Sequence, residues 1–176
     1  AFVAGTASAT PVPNMVINFT ETQNGDVNAA YTGSVDTTGF SFILNTSASS
    51  SVLWPSTAAF QSIKGTYARY GSSFHSQRVP FGTGGFQSTI NSVVGSVFGF
   101  QADSGFPGMD TLWLPVGYSG GTFSGGVSWS SATFLSLGLT PGTYYQPIGN
   151  NTFQINVTPS SPVPEIDPAG MGSVLA

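Results

Sequence analysis

Asn14-Met15-Val16-Ile17-Asn18-Phe19-Thr20, then Asn24-Gly25, then Val27-Asn28-Ala29-Ala30-Tyr31-Thr32-Gly33-Ser34-Val35 is the stretch that decides the fold class. Successive side chains of an extended chain point to opposite faces. Met15, Ile17 and Phe19 therefore share one side, and Asn14, Val16, Asn18 and Thr20 share the other. Val27, Ala29, Tyr31, Gly33 and Val35 repeat the alternation against Asn28, Ala30, Thr32 and Ser34. An Asn-Gly pair between two such runs favours a tight hairpin turn, because both residues tolerate positive φ. Residues 14–35 are predicted to form a hairpin with one core-facing side.

Phe40, Phe42 and Leu44 extend the pattern, after which the composition of Asn45-Thr46-Ser47-Ala48-Ser49-Ser50-Ser51 predicts a loop. Ile63 to Tyr70, Gln77 to Phe81 and Thr89 to Phe100 are strand candidates separated by glycine-rich turns. Thr111 to Tyr118 is another, interrupted by Pro115 and so suited to an edge or a bulge. Phe123, Gly125, Val127 and Trp129 alternate with small polar residues, and Phe153, Ile155 and Val157 form the last clear strand. No stretch carries an apolar stripe of helical period. Turn signals recurring about every 8–12 residues predict an all-β protein, an antiparallel β-sandwich or jelly-roll-like single domain. The domain is assigned to residues 14–160. Residues 1–13 are expected to be an N-terminal arm and 161–176 a C-terminal arm, each flexible or able to donate a strand.

Charge is the compositional anomaly. Hydrophobic residues make up 40% of the 176 and aromatics 13%, but only 6% are charged, against about a quarter in ordinary globular domains. Solubility must rest on hydroxyl, amide and backbone groups. A net charge of −4 gives copies little mutual repulsion, so a homo-oligomer or polymer is expected. Lys64, Arg69 and Arg78 are the three cationic residues, too few to neutralise a run of phosphates, which argues against nucleic acid. The absence of cysteine excludes disulfides and thiolate-ligated metals within one chain.

The same scarcity limits chemistry. His75 is the sole histidine, so a site built on several imidazoles is ruled out within the chain. No Gly-x-Ser-x-Gly elbow accompanies it. Of the seven acids, Glu21, Asp26, Asp36, Glu165 and Asp167 fall near turns or in the tail. Asp103 and Asp110 flank Ser104-Gly105-Phe106-Pro107-Gly108-Met109 and are the candidate ligands for calcium, which takes about six to eight oxygens. No catalytic residue, no other metal ligand and no other cofactor is expected, and the chain is read as a non-enzyme. Tyr144 and Tyr145, being adjacent, are expected to turn one ring outward, and Trp129 and Phe123 are expected in the core.

Near the end, Val163-Pro164-Glu165-Ile166-Asp167-Pro168 precedes small residues and an apolar start. It resembles the PEP-CTERM sorting signal in its Val-Pro-Glu-Ile-Asp form, carried by exported bacterial proteins that are handed to an exosortase. Leu112-Trp113-Leu114-Pro115-Val116-Gly117-Tyr118 through Gly125, and Ser131-Ala132-Thr133-Phe134 through Tyr144, are similar to a recurrent domain of such proteins. The resemblance implies an extracellular or cell-surface location and bacteria that make a polysaccharide biofilm matrix. It also implies only transient contact with the membrane, through a C-terminal helix that is removed. A spanning helix needs about 20 apolar residues, and Ala169 to Ala176 is far shorter.

Two functional expectations follow. The first is an exported structural protein of the cell surface or extracellular matrix, self-assembling as a filament or surface-layer subunit through terminal-arm or edge-strand exchange. The alternative is a carbohydrate-binding or adhesive module of an exopolysaccharide matrix.

Overall fold

The computed structural model describes residues 11–89, 92–103 and 109–159. Among them are β1 (Met15–Glu21), β2 (Val27–Gly33), β3 (Phe40–Trp54), β4 (Ala59–Ser72), β5 (Gln87–Thr89) and β6 (Ser92–Gly95). β7 (Phe98–Gln101), β8 (Thr111–Pro115), β9 (Phe123–Trp129), β10 (Gly142–Ile148) and β11 (Asn151–Thr158) follow, with a 3-10 turn at Pro55–Thr57 and one α-helical turn, α1 (Phe134–Leu137). The protein is an all-β sandwich. Its first sheet has the order β10-β11-β1-β2-β9-β6, and its second β5-β3-β4-β7-β8 with β8 also pairing to β4.

The hairpin read from residues 14–35 is present, with Met15 opposite Gly33 and Glu21 opposite Val27. Gly25 takes φ +78° at the turn. Gly33 is required for a different reason: a Cβ there would lie 2.2 Å from the Asn14 carbonyl oxygen. Neighbouring strands are antiparallel with one exception. β1 lies parallel to β11, Met15 opposite Phe153 through Thr20 opposite Thr158.

The alternating apolar residues build the core. Met15, Ile17, Phe19, Val27, Tyr31, Phe153 and Ile155 are buried on the inner face of the first sheet. From the second sheet Phe60, Phe98 and Phe100 meet them, with Phe19–Phe60 centroids 5.7 Å apart and Phe100–Phe153 5.3 Å apart, both edge to face. That geometry sets the positive ring edge against the negative face. A polar bridge also crosses the sandwich: the Tyr31 hydroxyl donates to Ser62 Oγ at 3.2 Å, and Ser62 Oγ donates to the Gly126 carbonyl at 3.4 Å. Trp129 is in the core, as expected, and Phe123 packs against it.

Three readings need correction. Asn45–Ser51 is not a loop but the middle of β3, because β4 supplies a continuous ladder from Leu44 opposite Arg69 to Trp54 opposite Ala59. Backbone pairing there does not depend on side-chain pattern, and hydroxyls suit its exposed face, as in the 3.0 Å contact of Ser47 Oγ with Thr66 Oγ1. Gln77–Phe81 forms no strand; its polar groups are used by Gln146, whose side chain accepts from the Val79 N–H and donates to the Gln77 carbonyl. Thr89–Phe100 is not one strand, since Gly95 at φ +75° separates β6 in the first sheet from β7 in the second. β8 does end at Pro115. Residues 1–10 and 160–176, and with them the motif Val163 to Pro168, lie outside the described residues.

Candidate functional site

The longest element is the ribbon of β3 and β4, and its two sides differ. β4 pairs with β3 along its length, with β7 through Ala59–Ser62 and with β8 through Tyr67–Gly71. Among the described residues the other side of β3 pairs through Ser51–Leu53, with β5. Among the described residues no strand covers the far edge of β3 from Phe40 to Ser50.

An uncovered edge presents unpaired N–H and C=O groups that another chain can take up, and proteins normally guard it with charge, proline, bulges or brevity. β3 has no charged residue and no proline over its 15 residues. Its one guard is a bulge between Phe42 and Leu44; from Leu44 to Ser50 the register against β4 is regular. On the first sheet, the edge strand β10 carries Pro147, which has no N–H to offer a neighbour. Beside the open run, Phe42, Ile43 and Leu44 are three consecutive apolar side chains exposed to 55%, 43% and 39%. The Phe42 ring stands edge to face against Tyr70 at 5.9 Å. The site thus joins directional backbone groups to an apolar anchor, the two components of strand addition.

Asp103 and Asp110 come together with different roles. Asp110 is fully buried. Its Oδ1 accepts from the N–H groups of Ser76 (3.1 Å) and Asp103 (3.0 Å). Its Oδ2 accepts from the Gly149 N–H at 2.9 Å and from the Ser76 hydroxyl. A carboxylate ringed by donors is a structural anchor tying three segments together, the opposite polarity from a cation site. Asp103 instead faces basic side chains, with His75 Nδ1 3.5 Å and Arg78 Nη2 3.6 Å from its carboxylate oxygens. Among the described residues no three His, Asp or Glu side chains cluster as metal ligands would. The His75–Asp103 contact is solvent-exposed, and the neighbouring Ser76 hydroxyl is committed to Asp110.

The outer face of the first sheet carries a second feature. From β10 to β6 the aligned outward residues Thr143, Asn156, Asn18, Ala30, Gly126 and Val94 form one row across six strands. Over Ala30 and Gly125 the row sinks into a depression of about 410 Å³, bounded by Asn18, Thr32, Val94 and Ser124. A Cβ at Gly125 would lie 2.4 Å from the Tyr31 hydroxyl on the inner face, so the packing of Tyr31 requires glycine at 125.

Sequence reasoning missed the open edge, although its signal, fifteen uncharged residues without proline, was present. Comparison of the chain with protein-family models, with curated proteins and with solved structures gives no match.

Proposed function

We propose that the protein is an exported structural protein of the cell surface or extracellular matrix, whose copies associate through the open edge of β3. The observation that carries this reading is the uncharged, regular run Leu44–Ser50 beside exposed Phe42, Ile43 and Leu44. The low overall charge supports it, since little electrostatic repulsion opposes close approach of neutral copies. A neighbour's β3 added across a two-fold closes a dimer. A neighbour's terminal segment, 1–13 or 161–176, added to the same edge repeats head to tail and gives a ring or filament. The sorting-signal resemblance of Val163–Pro168 supports the surface location.

Sedimentation velocity and electron microscopy of the wild type, a variant lacking residues 1–10 and the double variant Ser47→Lys/Ser49→Lys test this. Both serines are exposed, so the lysines change stability by less than about 0.5 kcal/mol while guarding the edge. Association in the wild type and its loss in the lysine variant are expected. A wild type that stays monomeric at high concentration, or a lysine variant that assembles normally, defeats the proposal.

A carbohydrate-binding role is the second reading, favoured by the charge-free outer face of the first sheet.

A further inference from the structure

Every outward position of the first sheet's strands is uncharged. β1 presents Val16, Asn18 and Thr20, β2 presents Asn28, Ala30 and Thr32, and β9 presents Ser124, Gly126 and Ser128. β11 presents Thr152, Gln154, Asn156 and Thr158. The face is a lattice of hydroxyl and amide groups spaced about 4.8 Å apart from strand to strand.

That lattice is already oriented. Asn156 Nδ2 donates to Asn18 Oδ1 at 2.8 Å, while Asn156 Oδ1 accepts from Gln154 Nε2 at 2.9 Å and from Thr143 Oγ1 at 3.1 Å. Ser128 Oγ donates to Asn28 Oδ1 at 2.6 Å. With its oxygen held by Asn156, the Asn18 amide has its N–H donors beside the depression over Ala30. Val94, 61% exposed, forms an apolar wall on the other side. Hydroxyl-seeking donors and acceptors on one side of a shallow cup and hydrocarbon on the other suit a sugar ring, which presents both. The strand spacing is close to the length of one pyranose unit in an extended chain, so successive rings fall on successive strands. Tyr145, in the adjacent row and three strands from β2, lies about 14 Å away and offers a ring face for stacking.

We infer that the outer face of the first sheet binds a neutral, extended polysaccharide running across the strands, with one ring seated over Ala30 and another against Tyr145. This gives the second reading above its site. Neutrality follows from the lining: a carboxylated or sulfated polymer would lose hydration without meeting a cation, on a chain whose net charge is −4.

The test is retention on insoluble cellulose, curdlan and chitin, with calcium alginate beads as the anionic comparison. It uses the wild type, Ala30→Arg, Tyr145→Ala and the β3 variant Ser47→Lys/Ser49→Lys, each checked for an unchanged melting temperature. Retention on at least one neutral polymer is expected, weakened about tenfold or more by Ala30→Arg, less by Tyr145→Ala and not at all by the β3 variant. No wild-type retention on any neutral polymer would overturn both this site and the carbohydrate reading. Retention untouched by Ala30→Arg would overturn the site alone. Equal retention on alginate would overturn the neutral ligand class.

Discussion

The two halves of β3 obey different rules although they are one strand paired to one partner. From Ser51 to Leu53, β5 covers the outer edge; Ser51 and Leu53 are buried, and Val52 and Trp54 are half-buried. From Phe40 to Ser50 no strand among the described residues covers that edge, no residue is fully buried, and Phe42, Leu44, Ser47 and Ser49 are exposed. The boundary falls where Ser51 opposes Ser62, the residue through which Tyr31 of the first sheet bridges to the second. Below it the ribbon belongs to the sandwich. Above it, ladder hydrogen bonds to β4 hold the strand, which leaves exposed side chains such as Phe42, Leu44, Ser47 and Ser49, and the outer edge, for another partner.

The largest effect expected from breaking this division is Leu53→Ala. Its side chain is fully buried, so truncation costs about 2–5 kcal/mol in urea unfolding, while association of the folded fraction stays normal. A cost no greater than that of Leu44→Ala in the open half would remove the distinction. Next comes Tyr31→Phe, which takes the hydroxyl from the Ser96 carbonyl and from Ser62 and costs about 1–3 kcal/mol. Burial raises the Tyr31 phenol above its ordinary value of 10.0, so in alkali the unfolded chain ionises first. Its contribution is complete below about pH 10 and declines as pH rises toward the folded value. The melting temperature of the phenylalanine variant should therefore fall less between pH 9 and 11 than that of the wild type; parallel curves would contradict the buried bridge. The smallest change in stability is Leu44→Lys, under about 0.5 kcal/mol, yet this substitution should abolish assembly in sedimentation velocity. An undiminished assembly would show that the bare half is not the contact.

Sequence was most informative where burial is one-sided. Met15, Ile17 and Phe19, or Phe153, Ile155 and Val157, alternate because one face is dry and the other wet, and the structure places them accordingly. Pattern disappears where small residues build the inward face or where both faces meet the same environment. Asn45–Ser51 carries no apolar period because its half-buried face is built from the small residues Thr46, Ala48 and Ser50, whereas Phe98-Gly99-Phe100 is buried on both sides. The edge was hidden for a related reason, since pairing is a property of backbone groups and of which strand arrives alongside. Asp110 could be singled out as a candidate calcium ligand, but its partners are N–H groups of Ser76, Asp103 and Gly149. Those come from three distant segments that only the fold brings together.

The parallel pairing of β1 with β11 has a mechanical consequence. Because both strands run the same way, β1 begins at one end of the sandwich and β11 finishes at the other. Tension between those two points slides β1 past β11, loading the hydrogen bonds of six register pairs together rather than unzipping them one at a time. A domain tethered at one terminus and pulled at the other would resist as a shear clamp.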